Sequence, residues 1–243
     1  MKCLCIIPAR YASTRLPGKP LVMIAGKTMI ERVYEQAKKA KVPDKVIVAT
    51  DDQRVFDAVE AFGGSAMMTS AHHATGTDRL AEVVLAYPDI DVIINVQGDE
   101  PLISPDVIDQ LGEVFFREDA PPMATVATEM IEPEYEDPNA VKVVMNKRGE
   151  ALYFSRSLIP YARNPIHPKA RPYKHIGIYA YRRDFLLKYA SLASTPLEAT
   201  ESLEQLRAIE NGYKIQVILS NHKFIGIDTP ADLEEIRKYF EKE

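Results

Sequence analysis

The sequence predicts an α/β fold, a mostly parallel central sheet with helices on both faces and a smaller β-rich insertion. Strand-like apolar runs alternate with amphipathic helical stretches as far as residue 97, the rhythm of a parallel sheet with helical crossovers. From about residue 122 the texture changes to short β-type runs separated by turns. With 243 residues and 46% apolar content, the chain suits one large domain or a domain with a substantial insertion.

In chain order, "KCLCII" reads as the first strand, "TMIERVYEQAKKA" as a helix, "KVIVAT" as a strand and "DDQRVFDAVEAFGG" as a helix closed by Gly63. A short strand "SAMMTS", a helix near "TGTDRLAEVVLAY" and the buried strand "DVIINVQ" follow. Helix starts carry their own marks. Thr28 stands three before Glu31, and Ser104-Pro105 and Thr229-Pro230 each place a cap before a first-turn proline. The insertion reads as "MATVATEM", "VKVVMN", the turn "NKRGE", "ALYFSR", an irregular stretch 157–172 and "HIGIYAYR". A helix around "ATESLEQLRAIENG", a strand "YKIQVIL" and a final helix from Thr229 return to the main layer. The division expected is 1–121 for the alternating α/β part, 122–190 for the β-rich part and 191–243 for the return.

The net charge of −5 argues against bulk attraction to nucleic acid or to an anionic membrane surface. Charge is uneven, however: residues 1–30 hold Lys2, Arg10, Arg15, Lys19 and Lys27 and no acid, so an anionic ligand is expected there. Cys3 and Cys5 alternate on one strand face and read as small core residues, not as a disulfide or metal pair. There is no run of 18 apolar residues and no signal or lipidation motif, which makes a cytoplasmic location the expectation.

The segment "IPARYASTRLPGKPL" leaves the first strand as a proline-broken loop, at the strand end where parallel sheets bind ligands. Guanidinium groups of Arg10 and Arg15 suit bidentate phosphate contact, Lys19 a point charge and Ser13 a hydroxyl. Three cations without an acid between them repel one another unless an anion visits. The loop is not a Walker motif, because "GKP" lacks the hydroxyl and "GKT" has Leu21 where the first Gly belongs. A dinucleotide glycine fingerprint is also missing.

"INVQGDEPL" sets Gln97, Asp99 and Glu100 beyond an apolar strand, and "IGIDTP" sets Asp228 before a helix cap. Two such carboxylates suit Mg²⁺ held against a triphosphate. On local grounds Asp228 reads equally as an acid stabilised at a helix N-terminus. "TGTDR" offers Thr75 and Gly76 at a helix start for close backbone approach, although capping alone accounts for Thr75 and Asp78. Glu198, Glu201 and Glu204 recur every three residues, and Glu198 reads as solvated helix face. His72 and His73 have no partner at metal-site spacing. No hydrolase nucleophile motif occurs, which leaves positioning and charge neutralisation, the needs of nucleotidyl or phosphoryl transfer.

"IPARYASTRLPGKPL", "TGTDRLAEV", "NVQGDEP", "NAVKVV", "ALYFSR", "HIGIYAYR", "LEQLR" and "IDTPADLE" together resemble the 3-deoxy-manno-octulosonate (Kdo) cytidylyltransferase family, in order and over nearly the whole chain. The resemblance implies a Rossmann-type fold like that of nucleotide-diphospho-sugar transferases. It also implies CMP transfer from CTP to Kdo, with release of pyrophosphate, for lipopolysaccharide biosynthesis. It implies that Arg10, Ser13, Arg15 and Lys19 hold the CTP phosphates and that Ala9, Thr75, Gly76 and Arg79 seat the nucleotide. Asp99 and Asp228 would carry Mg²⁺, and Lys19, Arg10, Arg15, Asp99 and Asp228 form the catalytic set. Gln97, Arg156, His175, Tyr179, Glu204 and Gln205 would line the Kdo pocket, with Arg156 the carboxylate clamp. A homodimer is implied, with the hairpin of "VKVVMN" and "ALYF" as its surface. Sialic-acid or amino-Kdo transfer is the nearest alternative within enzymes. A regulatory nucleotide-binding module and an NAD-dependent oxidoreductase are the alternatives outside that class.

Overall fold

The computed structural model describes residues 1–12, 16–164 and 172–241. The chain forms two compact units, residues 1–113 with 223–243 and residues 114–222.

The first unit opens with β1 (Cys3–Pro8), whose inward and outward faces are both apolar and almost wholly buried. A two-stranded ribbon of β2 (Met23–Ile24) and β3 (Lys27–Thr28) leads into α1 (Met29–Lys39). The Thr28 hydroxyl accepts from the Glu31 N–H at 3.2 Å, so the expected cap forms. β4 (Lys45–Thr50), α2 (Gln53–Ala61), β5 (Ala66–Met68), α3 (Gly76–Leu85), β6 (Val92–Asn95) and α4 (Pro105–Glu113) complete the alternation. β6, β1, β4 and β5 lie side by side and every pairing is parallel, as continuous Val/Ile runs buried on both faces require. Cys3 and Cys5 are buried and unbridged; burial pushes the Cys3 thiol up to about 12.

The second unit holds β7 (Met123–Glu129), β8 (Lys142–Met145), β9 (Ala151–Ser155) and β10 (Tyr173–Arg182). β7–β10, β10–β8 and β8–β9 are antiparallel, and the β8–β9 hairpin turns through Gly149 at φ 75°. α5 (Arg183–Ser191), α6 (Pro196–Glu201), α7 (Leu206–Glu210) and β11 (Ile215–Leu219) follow, with β11 parallel to β7. Two expectations are corrected here. The single helix expected over "ATESLEQLRAIENG" is two short helices, because Ser202 adopts φ 51° and breaks it. The stretch 191–222 also packs with the β-rich unit, held there by the β11–β7 ladder, so the return to the first unit starts at Lys223.

The chain ends in α8 (Pro230–Phe240), capped by a reciprocal box of Thr229 and Asp232. Leu233 and Ile236 of α8 close an apolar cluster with Leu16, Ile24, Met29 and Ile227. This cluster sets the geometry of the site, since Leu16 and Ile227 are near neighbours of Lys19 and Asp228 in sequence. No described helix is long and apolar enough to cross a membrane.

Candidate active site

The basic loop leaves β1 through Ala9, which is buried and donates its N–H to the Ala49 carbonyl at 2.9 Å. Gly18 then turns the chain at φ 66° into a 3₁₀ turn over Lys19–Leu21. A Cβ there would lie 3.1 Å from the Tyr11 hydroxyl oxygen. The turn delivers the Lys19 ammonium, 14% exposed, between two carboxylates: Asp99 Oδ2 at 2.5 Å and Asp228 Oδ1 at 3.0 Å. Lys19 is thus compensated by acids far away in sequence, although the loop itself carries none.

Both acids are placed by backbone. Asp99 follows Gly98 at the end of β6, where a Cβ would come within 2.8 Å of the Pro8 carbonyl oxygen; only glycine lets this turn approach β1 so closely. The Ile227 N–H donates to the Asp99 carbonyl at 3.0 Å, which sets Asp228 beside Asp99. Ile227 itself is fully buried in the apolar cluster, so the carboxylate next to it is held by packing. The Asp232 carboxylate accepts from the N–H groups of Asp228 and Thr229, which lowers its pKa against the opposing effect of burial.

The remaining nucleotide residues expected from sequence are arranged around α3. Arg10 donates to the carbonyls of His73 (2.6 Å) and Thr75 (3.4 Å). Thr75 caps α3 in a reciprocal box with Asp78, and Gly76 begins the helix. Arg79 is fully buried: its guanidinium donates to Asp51 Oδ2 at 2.8 Å and to the Thr69 hydroxyl. Its side chain therefore braces the strand end from below. Gln97 is half-buried just beyond β6. Ser13 and Arg15 lie outside the described residues.

In the second unit Arg156 follows β9. Its Nε donates to the Glu201 carbonyl (2.7 Å), Nη1 to the Pro138 carbonyl (2.9 Å) and Nη2 to the Ser202 carbonyl (3.3 Å). The Glu201 carboxylate accepts from the Arg156 N–H and the Ser155 hydroxyl. The break at Ser202 is what turns carbonyls 201 and 202 toward this guanidinium. His175 sits between Thr125 Oγ1 (3.0 Å from Nε2) and the Gln205 amide nitrogen (3.4 Å from Nδ1). The Phe154 ring meets it edge-on and Tyr179 lies 5.4 Å away. Burial pulls the His175 pKa down to about 3, so the imidazole is neutral. Burial, with Glu204 next, drives the Tyr179 phenol well above its usual range, so it stays a neutral hydrogen-bonding group. The Glu204 carbonyl accepts from the Tyr189 hydroxyl at 2.6 Å.

Glu198 departs from its expected place on a solvated face. It is buried against the Arg207 guanidinium and accepts from the Thr195 N–H. Burial opposes its charge, but these donors hold the carboxyl below the usual range.

Sequence reading passed over Asp51, Thr125 and Lys142, and took Glu201 only as one of a three-residue repeat of acids. Lys142 is wholly buried on β8 and donates to the carbonyls of Asp137 (2.6 Å) and Arg156 (2.9 Å). A lysine inside "VKVV", a threonine inside "MATVATE" and an acid at the end of "KVIVATD" were the available signals.

Among the described residues no group of three or more His, Cys, Asp or Glu side chains is suited to hold a metal. Asp99 and Asp228, both within reach of one cation, offer hard oxygen donors from two sides. That donor set fits Mg²⁺, which usually takes one or two carboxylates and completes its shell with water and phosphate oxygens.

The family model described as Cytidylyltransferase matches residues 4–215. A 3-deoxy-manno-octulosonate cytidylyltransferase of Syntrophotalea carbinolica is 51% identical, covering 98% of this chain and 98% of that relative. One from Fusobacterium nucleatum is also 51% identical, over 100% of this chain and 98% of the relative. A solved structure of CMP:2-keto-3-deoxy-manno-octonic acid synthetase complexed with CTP superposes with a TM-score of 0.95 at 48% identity, covering 100% of this chain and 99% of that one. The same mostly parallel central sheet with helices on both faces is thereby common to both. The chain is a nucleotidyltransferase and belongs to the 3-deoxy-manno-octulosonate cytidylyltransferase family.

Proposed function

We propose that this protein transfers CMP from CTP to the anomeric C2 hydroxyl of Kdo and releases pyrophosphate, supplying an activated sugar for lipopolysaccharide assembly. The observation that carries it is the convergence of Lys19, Asp99 and Asp228, a cation and two carboxylates at strand ends. Such a set can neutralise and orient a triphosphate, and a direct in-line displacement needs no covalent enzyme intermediate. The 51% identity with named relatives supports the choice of substrates.

In this mechanism Arg10, Ser13, Arg15 and Lys19 grip the triphosphate, with Ala9, Thr75 and Gly76 giving close backbone approach and Arg79 bracing them. Asp99 and Asp228 are the residues that would hold Mg²⁺, which when bound supplies charge neutralisation at the α-phosphate and the departing pyrophosphate. The acceptor hydroxyl oxygen bonds to the α-phosphorus as the bond to the β-phosphate oxygen breaks, and the hydroxyl proton passes to solvent. Lys19 offsets the charge that develops on the leaving group. Gln97, Arg156, His175, Tyr179, Glu204 and Gln205 bind the sugar acid. Arg156 meets its carboxylate with the donor capacity left beyond its contacts to carbonyls 138, 201 and 202. Two copies pair through the β8–β9 hairpin, and the enzyme works in the cytoplasm.

Incubation with CTP, Mg²⁺ and either Kdo, its 8-amino analogue or N-acetylneuraminate tests this by pyrophosphate release. Release with Kdo well above the others is expected; no release with any of them would overturn the proposal. Light scattering should give twice the chain mass, and a monomer at working concentration would remove the dimer.

A further inference from the structure

We infer that Thr125 is a positioning residue that fixes the tautomer of His175 and, through it, which end of the Gln205 amide faces the acceptor sugar. The inference rests on the assignment of His175 and Gln205 to the sugar-acid pocket and adds a residue that does not itself touch substrate.

The β7–β10 ladder pairs His175 with Ala127 and Ile176 with Val126, then resumes with Tyr179 opposite Thr125. Gly177 and Ile178 are the extra residues of this bulge, and bulges redirect the groups around them. Here two carbonyls turn onto one fully buried hydroxyl: Ile178 O lies 2.8 Å and Ile176 O 3.2 Å from Thr125 Oγ1. His175 Nε2 approaches the same oxygen at 3.0 Å.

A hydroxyl has one hydrogen to give and lone pairs to accept with. Carbonyls only accept, so the Thr125 hydrogen is committed to them, above all to Ile178. The oxygen lone pair then faces His175 Nε2, and that contact is a hydrogen bond only if Nε2 brings the hydrogen. A neutral imidazole carries one ring proton, so Nδ1 is left bare and accepts from the Gln205 Nε2 amide group at 3.4 Å. The amide nitrogen of Gln205 is thereby turned to the histidine, and its Oε1 is presented as an acceptor for a sugar hydroxyl.

The opposite tautomer would reverse every step. Nδ1–H would require Gln205 Oε1 toward the ring, the amide NH₂ would face the ligand, and the bulge carbonyls would lose the Thr125 hydrogen. Leaving a buried carbonyl without a donor is what makes that arrangement unfavourable.

The test is ¹⁵N NMR of the histidine ring in the intact protein, together with steady-state kinetics on Thr125→Val and Thr125→Ser. Expected are a pyrrole-like Nε2 and a pyridine-like Nδ1 for His175 in the wild type and in Thr125→Ser. Thr125→Val should lose that pattern and raise KM for Kdo about tenfold, with kcat and KM for CTP within about twofold; Ser should restore KM. A wild-type Nδ1–H tautomer would overturn the inference, as would a Val variant that keeps both the ring pattern and the KM. If Thr125→Val does not fold, the ring shifts of the wild type and Thr125→Ser decide the tautomer alone. Absence of Kdo turnover in a protein with the expected ring shifts would count against the substrate assignment and leave the tautomer standing.

Discussion

Lys19 Nζ lies 2.5 Å from Asp99 Oδ2, although 80 residues separate them, and the same ammonium reaches Asp228 at 3.0 Å. The lysine therefore occupies the position between the two acids. Phosphate oxygens that attract Lys19 would release both carboxylates toward a cation, so triphosphate should bind before the metal ion is held tightly.

Lys19→Ala should lower kcat by at least about a hundredfold, with KM for Kdo changed far less. The same variant frees two carboxylates, so Mn²⁺ binding to nucleotide-free protein, read by electron paramagnetic resonance, should tighten by about tenfold. Unchanged Mn²⁺ affinity would show that Lys19 does not compete for the pair.

Gly98→Ala would drive a methyl group to 2.8 Å from the Pro8 carbonyl oxygen, a backbone atom fixed in the parallel sheet. The turn carrying Asp99 has to shift, at a cost of about 1–3 kcal/mol. Urea unfolding should record that loss, and activity should fall further than stability because Asp99 moves away from Lys19.

Glu198 and Arg207 form a buried ion pair in the second unit. Removing Glu198 leaves Arg207 with only the more distant Glu204 carboxylate at 3.9 Å, so Glu198→Ala should destabilise by about 2–4 kcal/mol in thermal or denaturant melts. The double variant Glu198→Leu with Arg207→Met should recover much of this, because both charges leave together.

The folded His175 pKa of about 3 lies below the ordinary 6.5, so the unfolded chain binds the proton more readily. Its contribution to stability is complete above pH 6.5 and is lost as pH falls from there toward 3, by up to about 1.4 kcal/mol per pH unit. His175→Gln should flatten that part of the stability profile measured by urea unfolding at stepped pH.

Local chemistry was legible in the sequence. Thr75 with Asp78 and Thr229 with Asp232 are caps at short spacing, and both form as spaced. The buried Val/Ile runs of β1, β4 and β6 predicted parallel pairing, which follows from burial on both faces. Long-range partners were less accessible. Asp99 and Asp228 were readable as strand-end acids, yet nothing in their spacing indicated that Lys19 would lie between them. Arg79 is contiguous with the buried positions Leu80, Val83 and Val84 of α3, so a charge inside an apolar face was the clue to its brace. Ser202 is a weak helix breaker by composition, and the continuous helix read there concealed the Glu198–Arg207 pair.

The docking of α8 has a consequence for when the protein becomes competent during its own synthesis. Leu16 and Met29 are made early, but they are covered only when Ile227, Leu233 and Ile236 emerge, and Asp228 arrives in the same stretch. The parallel strands of the first unit are complete by Asn95, so much of that unit can assemble on a ribosome-bound chain that still has half of the acid pair missing. A product clipped before residue 223 would expose the apolar bed of the missing helix and be unable to hold its substrate's charge. Incomplete chains would thus be marked for removal by the same surface whose absence leaves them inert.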